Sequence, residues 1–529
     1  MLDLSRLADA VRYEGGVSRR LFLAYGAALS SIPYTTQSTL AGTKPKFSDD
    51  PFTLGVASGD PDSRGFVLWT RLAPKPLEPY GGMPATPVEV EWVVAEDETL
   101  KTVVAKGAST AMPQLGHSVH VELNNLKPDR WYWYQFRSGD AASPVGRTRT
   151  LPGPNVMPAQ LKFAFASCQN YEQGYFTAYE QMAKDDVDLV FHLGDYIYEY
   201  ESGRNGKIRT HLGKEIESLG DYRVRHCQYR TDPLLSHMHA QCPWFVTWDD
   251  HEFDNNCAGA ISEELDVDPV EYLVRRANAY QAYYEMMPLR RRSLPQGPDM
   301  KLYRKASFGR LAELMVLDTR QYRSDQPNND RHSPLNEAAL GKSNTLLGSK
   351  QRGWLQRSLI TSRGQWNVLA QQVMMGLVGF DRNGVSPAYS MDQWPGYAAE
   401  RRQLLKFLAD RRVPNPVVLT GDIHSNWVNE LRLDDRLADE PVVATEFVGT
   451  SISSGGNGQN KPKDHDQMLA NNPSLKFYNR ERGYVRCTVT PESWISDYMV
   501  VDDVETQGGE VTKRASFTVE AGDPTVKPG

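Results

Sequence analysis

Four short apolar segments of this chain each end in side chains that can bind a metal ion, and this pattern constrains the fold most. The segments are residues 163–166, 189–193, 244–247 and 417–420. Each has the length and composition of a buried strand. Because ligands bind beyond the carboxyl ends of strands in open α/β sheets, we expect these four endings to line one crevice. The metal-capable residues at the endings are Cys168, Asp195, Tyr198, Asp250, Asp422 and His424.

The ending after residues 189–193 is the most specific of the four. Gly194 and Asp195 are followed, three residues on, by the phenol of Tyr198. Asp195 can bridge two cations with its two oxygens, and phenolate is a hard anionic ligand that suits ferric iron better than zinc or magnesium. Alone, this motif is equally typical of a strand-end turn with a core tyrosine. Together, the thiolate, carboxylates, phenolate and imidazole predict cations with a total charge of about four to five.

The order of these motifs resembles that of the calcineurin-like metallophosphoesterases, and the first motif resembles the purple acid phosphatases. Three segments are more specifically similar to the PhoD-type alkaline phosphatases: residues 167–169, 248–252 and 317–323. The resemblance extends from about residue 48 to about residue 505. It therefore covers nearly the whole chain.

The resemblance implies a set of metal ligands. Ferric iron would be bound by Cys168, Asp195, Tyr198 and His424. Calcium would be bound by Asp195, Asp250 and Asp422. Purple acid phosphatases have Asn and His at the positions of Asp250 and Asp422, so carboxylates at both positions favour calcium over zinc. Either Gln371 or Gln372, after the apolar run 366–370, is a further calcium ligand or a strand-end hydrogen bonder, and strand alternation does not distinguish them.

The implied activity is that of an exported alkaline phosphatase that hydrolyses phosphate monoesters and diesters. A hydroxide held between the cations would attack phosphorus in line. His251 and the adjacent Asp250 are the candidate catalytic residues, and His251 would protonate the leaving alkoxide or contact the phosphoryl oxygens. Asn255, the neighbouring Asn256 and Arg320 are candidate substrate-binding residues.

Two alternative functions are open at this point. The same metal site would also serve a phospholipase D-like enzyme or a teichoic-acid phosphodiesterase, which changes the substrate and keeps the chemistry. A catalytically inert cell-surface binding protein is the alternative from another class. The intact ligand set disfavours it, because inert relatives are expected to lose ligands first.

The domain organisation follows from changes in the apolar pattern. Residues 48–152 are rich in short β runs and predict an all-β sandwich of fibronectin type III or immunoglobulin-like type, with Tyr132 at a tyrosine corner. Residues 160–510 alternate strands and helices, and predict an α/β metallophosphoesterase domain, in which the resemblance implies two sheets between helix layers. Residues 511–529 are expected to form a C-terminal tail.

The N-terminal residues 1–47 predict a signal and linker. Residues 18–24 (Ser-Arg-Arg-Leu-Phe-Leu-Ala) are typical of a twin-arginine export signal. A short amphipathic helix is the alternative. Such a signal predicts the twin-arginine machinery as a partner and a periplasmic or extracellular location. No apolar run of about twenty residues occurs, so no transmembrane anchor is expected.

Composition and cysteine usage exclude several other classes. The formal net charge is -7 and the chain has no basic–aromatic alternation, which argues against a nucleic-acid-binding surface. None of the five cysteines forms a C-x-x-C pair, so zinc-ribbon and thioredoxin-like sites are not supported. Cys168 is assigned to metal, and one disulfide among Cys227, Cys242, Cys257 and Cys487 is left open.

Overall fold

A computed structural model describes residues 45–264, 267–382 and 385–529 of the chain. The predicted twin-arginine motif at residues 18–24 lies outside the described residues. None of the helices in the described part of the chain is long and apolar enough to cross a bilayer.

The N-terminal β domain contains two facing groups of strands. Its strands are β1 (Val56–Asp62), β2 (Gly65–Arg71), β3 (Val88–Ala95), β4 (Val103–Ala111), β5 (Ser118–Glu122), β6 (Trp131–Ser138), β7 (Ala141–Ala142) and β8 (Gly146–Arg149). Strands β4, β3, β6 and β7 form one sheet in that order, and β8 also pairs with β6. Alternate side chains such as Val90 and Tyr134 pack against Phe66 and Leu68 of β2. The predicted N-terminal β domain is therefore present.

Tyr132 makes the contact expected of a tyrosine corner. Its hydroxyl accepts the backbone N–H of Lys127 at 3.1 Å and lies 3.3 Å from the Lys127 carbonyl oxygen. The side chain is buried in the domain core. The predicted bond from this tyrosine to upstream backbone is confirmed.

The larger domain alternates strands and helices. Its elements are β9 (Leu161–Ala166), α1 (Ala178–Lys184), β10 (Leu189–His192), α2 (Leu219–Arg230), α3 (Pro233–Gln241), β11 (Trp244–Val246), α4 (Pro269–Met286), β12 (Arg304–Phe308), β13 (Ala312–Val316), α5 (Gly348–Ile360), β14 (Trp366–Ala370), β15 (Phe380–Arg382), β16 (Val385–Ala388), α6 (Ala398–Asp410), β17 (Pro416–Thr420), β18 (Asn426–Leu431), β19 (Ala444–Val448), α7 (His465–Asn471), β20 (Leu475–Asn479), β21 (Arg482–Val489), β22 (Ser493–Val501), β23 (Val511–Glu520) and β24 (Asp523–Pro528). Short 3-10 helices follow β4, α4, β13 and β16.

Two large sheets form the centre of this domain. The ten-stranded sheet has the order β24-β23-β22-β21-β9-β10-β11-β1-β2-β5, and the seven-stranded sheet has the order β12-β13-β14-β17-β19-β18-β20. Phe165 of β9 and Leu419 of β17 point into the core that the sheets share. Their neighbours Ala164 and Val418 point outward, into two separate helix-covered cores. The sheets therefore lie between helix layers.

The N-terminal domain is continuous with the ten-stranded sheet. Strand β1 pairs with β11 in parallel, with Gly59 opposite Trp244. A Cβ on Gly59 would lie 2.8 Å from the Trp244 carbonyl oxygen and 2.5 Å from the Pro288 carbonyl oxygen. Only glycine permits this close approach, which joins the two domains through the sheet itself.

The C-terminal segment 511–529 is not a tail, as the sequence suggested, but the edge of the ten-stranded sheet. Strand β23 pairs with β22, and β24 pairs with β23, both antiparallel. Phe517 and Val519 are buried in the core between the sheets. The physical reason is that alternate apolar side chains of β23 cover a core face that would otherwise contact water.

Candidate metal centre

The strands that carry the predicted ligands end at the same level. His192 at the end of β10 lies opposite Ala166 at the end of β9 and Val246 at the end of β11. Strand β17 of the other sheet ends beside them, since a Cβ on Gly421 would lie only 2.6 Å from Ser167 Oγ. The ligand-bearing turns therefore meet in one crevice at the edge of both sheets.

The backbone of these turns is unusual. Four of the predicted ligands have positive φ: Cys168 (59°), Asp195 (54°), Asp422 (65°) and His424 (52°). Non-glycine residues rarely adopt this left-handed conformation, which costs about 1 kcal/mol or more at each position. Such strain is typical of residues whose side-chain direction is needed for function.

One cluster combines a thiol, a carboxylate, a phenol and an imidazole. Ligand atoms of Cys168, Asp195 and His424 lie within 4.8 Å of one another. The Tyr198 hydroxyl is 2.9 Å from Asp195 Oδ2 and 3.1 Å from His424 Nε2. Asp195 Oδ1 is buried and has no hydrogen-bond partner among the described residues. This oxygen is free to bind a cation.

A second cluster consists of carboxylates. Oxygens of Asp249, Asp250 and Asp422 lie within 4.8 Å of one another, and Asp195, Asp250 and His251 form an overlapping group. The sequence motif drew attention to Asp250 and missed its neighbour Asp249. Both side chains are buried, and Asp249 Oδ2 lacks a hydrogen-bond partner within the described chain. Two adjacent aspartates at a buried strand end were the available signal.

The electrostatics of the crevice fit bound cations. Burial, together with the charge of Asp195, raises the pKa of the Cys168 thiol and the Tyr198 phenol well above their usual values. Burial also raises the pKa of Asp422 to about 6. These groups resist ionisation together unless positive charge is placed among them. A thiol, a phenol and an imidazole on one side and carboxylates on the other form a donor set that fits metal cations.

Arg320 supplies part of that positive charge. Its guanidinium contacts Asp249, donates from Nη1 to Asp392 at 2.9 Å, and donates from Nη2 to Asp422 Oδ1 at 3.0 Å. The side chain is only 1% exposed. The sequence suggested that Arg320 binds substrate. In the structure, its donors are instead directed to buried carboxylates.

His251 lies beside Tyr198 and is held by a carboxylate that the sequence analysis did not identify. Its Nδ1 donates to Glu199 Oε2 at 2.8 Å, and its ring centroid is 4.1 Å from that of Tyr198. Burial opposes the charged ring, but Glu199 and Asp250 outweigh it and raise the pKa of His251 well above its usual value. His251 is thus favoured in its protonated form.

The two candidate asparagines differ in position. The side-chain amide of Asn255 donates to Glu263, so this donor is already engaged. The backbone N–H of Asn256 donates to Asp250 Oδ2 at 2.8 Å, and its side chain donates to Asp330 at 2.6 Å. Asn256 therefore braces Asp250.

The side chains of Gln371 and Gln372 are both buried and hydrogen-bonded to other residues of the chain. Gln371 donates to Thr420 Oγ1 at 2.8 Å and accepts from Trp394 Nε1 at 3.0 Å. The Gln372 side-chain oxygen accepts the backbone N–H of Thr319 at 2.9 Å. The structure therefore favours the strand-end hydrogen-bonding interpretation for both.

Glu252 fixes the turns themselves. Its carboxylate accepts the backbone N–H of Asp195 at 3.0 Å and that of Asp249 at 2.8 Å. Burial raises the pKa of Glu252 to about 8. This one side chain therefore fixes the position of the turn after β10 relative to the turn after β11.

All five cysteines lie in the described residues, are buried and form no disulfide there.

Two family models match the chain. The model described as "PhoD-like phosphatase" matches residues 163–498, and the model described as "PhoD-like phosphatase, N-terminal domain" matches residues 36–152. The chain belongs to the PhoD-like phosphatase family. This assignment confirms the resemblance seen in the motifs.

Two relatives support the assignment of this PhoD-like phosphatase. Alkaline phosphatase D of Bacillus subtilis (strain 168) is 52% identical over 481 residues, which cover 90% of this chain and 82% of that protein. A solved structure of PhoD superposes with a TM-score of 0.89 at 51% identity, covering 92% of this chain and 93% of that one.

Replacing Arg320 distinguishes its two roles. Arg320→Met in this PhoD-like phosphatase leaves buried carboxylates without their cation. We expect the metal-free protein to lose at least about 3 kcal/mol of unfolding free energy in denaturant titration, with partial recovery on adding a divalent cation. Arg331→Met, at an exposed position, is the control. Unchanged stability with a raised KM would show instead that Arg320 binds substrate.

Proposed function

We propose that this PhoD-like phosphatase, a phosphoesterase of the alkaline phosphatase type, hydrolyses phosphate monoesters and diesters at a site for Fe³⁺ and Ca²⁺. The observation that carries the proposal is the overlap of three groups of metal-capable side chains, which share Asp195 and Asp250. A shared carboxylate is what two neighbouring cations require. Family membership supports the phosphoesterase activity.

We assign the ligands by donor type. Ferric iron would be held by Cys168, Asp195, Tyr198 and His424. Calcium would be held by Asp195, Asp250 and Asp422. When bound, the two cations supply Lewis-acid chemistry, because they acidify a water molecule and neutralise charge on the phosphoryl oxygens.

The protein's own contribution to bond cleavage is assigned to His251. Glu199 engages Nδ1, so Nε2 is the nitrogen left to donate a proton to the leaving oxygen. Asp250 Oδ1 accepts the backbone N–H of His251 at 3.0 Å. This bond places the proton donor His251 next to a proposed calcium ligand. The side chain of His424 is 36% exposed, compared with 2% for Asp195. We therefore propose that esters enter from the side of His424.

The alternatives are less well supported. A catalytically inert binding protein would be expected to lose these metal-capable side chains, and family membership favours an enzyme. Phospholipid or teichoic-acid diesters would use the same site, but the family assignment does not favour them.

We also propose that the protein is exported folded by the twin-arginine route, to the periplasm or the cell exterior. The motif at residues 18–24 supports this route. Export in the folded state would allow iron to be inserted before translocation.

Tyr198→Phe tests the iron assignment. A phenolate bound to ferric iron gives a broad visible absorption, which should vanish in this variant while the fold survives. Tyr200→Phe, two residues away in the same segment, should keep the colour. A colourless and fully active wild-type protein with stoichiometric zinc and no iron would contradict the assignment.

Asp250→Asn tests the calcium assignment. The amide keeps the size of the side chain and removes its charge, so the calcium concentration for half-maximal activity should rise at least about tenfold, with iron content retained. Asp254→Asn removes a charge four residues away and serves as the control. If zinc restores the chelator-treated enzyme better than calcium does, the assignment is wrong.

His251→Ala tests the proton donor. Esters with poor leaving groups need their oxygen protonated, so their kcat/KM should fall by about 10²–10⁴-fold. Activated aryl esters should lose far less. An equal loss for both substrate classes would assign His251 an electrostatic or structural role.

A further inference from the structure

A serine loop after β19 reaches into the candidate metal centre. Ser454 is fully buried. Its Oγ lies 2.7 Å from Tyr198 Oη and 2.8 Å from the Cys168 carbonyl oxygen, and it accepts the backbone N–H of Asn170 at 3.0 Å. One hydroxyl therefore contacts both the side chain of one proposed iron ligand and the backbone of another.

The loop is held firmly in this position. The backbone N–H of Ile452 donates to the Ser167 carbonyl at 3.0 Å, and that of Ser454 donates to the Cys168 carbonyl at 3.2 Å. Arg482 donates from Nε to the Gly456 carbonyl at 2.7 Å and from Nη1 to the His424 carbonyl at 2.5 Å. The Ser454 hydroxyl is thus fixed relative to Tyr198.

The direction of the hydrogen bond depends on the state of Tyr198. A neutral phenol has its own proton, which it can donate to Asp195 Oδ2 at 2.9 Å. A phenolate bound to a cation has no proton and only accepts. Ser454 then donates its single proton to Tyr198 Oη, because a hydrogen bond to a charged oxygen is stronger than one to a neutral carbonyl.

We infer that Ser454 is a positioning residue that weakens the electron donation of Tyr198 to iron by hydrogen bonding to the phenolate. The inference rests on the proposed iron site and deepens it. Hydrogen bonds from outer residues to metal ligands tune the metal that those ligands bind. Withdrawing electron density from the phenolate moves its absorption to shorter wavelength and raises the ferric/ferrous potential.

The test is Ser454→Ala in the iron-loaded protein, followed by visible spectroscopy and redox titration. We expect the absorption band to move to longer wavelength and the potential to become more negative. Ser453→Ala is the matched control, because the Ser453 hydroxyl donates to the Asn170 carbonyl at 2.8 Å. This control should leave both quantities at their wild-type values. Ser454→Cys keeps the side-chain shape with a weaker donor and should give intermediate shifts.

The outcomes separate this inference from the iron site itself. If the absorption band of Ser454→Ala lies at the wild-type wavelength, or if the band of Ser453→Ala shifts equally, the role of Ser454 is overturned. The iron site itself is not affected by that result. A wild-type protein that binds no iron overturns both. If Ser454→Ala fails to fold, the spectrum and potential of Ser454→Cys decide, and wild-type values in that variant overturn the inference.

Discussion

Repulsion among buried acidic side chains is the constraint on which the rest of this structure depends. Buried Asp195, Asp249 and Asp250 share one crevice with half-buried Asp422, and Arg320 compensates part of their charge. Folding such a group without further cations is costly, since each buried carboxylate loses its hydration. Bound cations would offset this cost, and the strained backbone of the turns directs the ligand side chains toward them.

The surrounding fold serves to keep these turns in place. Three parallel strands end at one level, and a fourth approaches from the facing sheet. Glu252 links two of the turns through backbone hydrogen bonds, while Arg482 and the serine loop connect the turns that carry His424 and Cys168. The N-terminal domain extends the same sheet, so it stiffens the scaffold.

Local sequence patterns predicted most of the metal-capable side chains that the structure brings together. They predicted few of the residues that position those side chains. Apolar runs that end in Asp195 or Asp422 are visible in the chain, because strand and turn are adjacent. One partner of Arg320 is Asp249, 71 residues away, and no local pattern encodes that pair. In strand β23, the consecutive residues Lys513 and Arg514 are both exposed, so its local sequence gives little sign of a strand at the edge of a buried sheet. Its burial depends on core residues far away in sequence.

Anomalous diffraction on crystals of the metal-loaded protein tests the central claim most directly. Data collected above and below the iron absorption edge should give one difference peak in contact with Cys168 Sγ, Tyr198 Oη and His424 Nε2. A neighbouring density among Asp195, Asp250 and Asp422 without an iron-edge difference would be calcium. A peak at the zinc edge in the first position, or no cation between these side chains in an active crystal, would contradict the account.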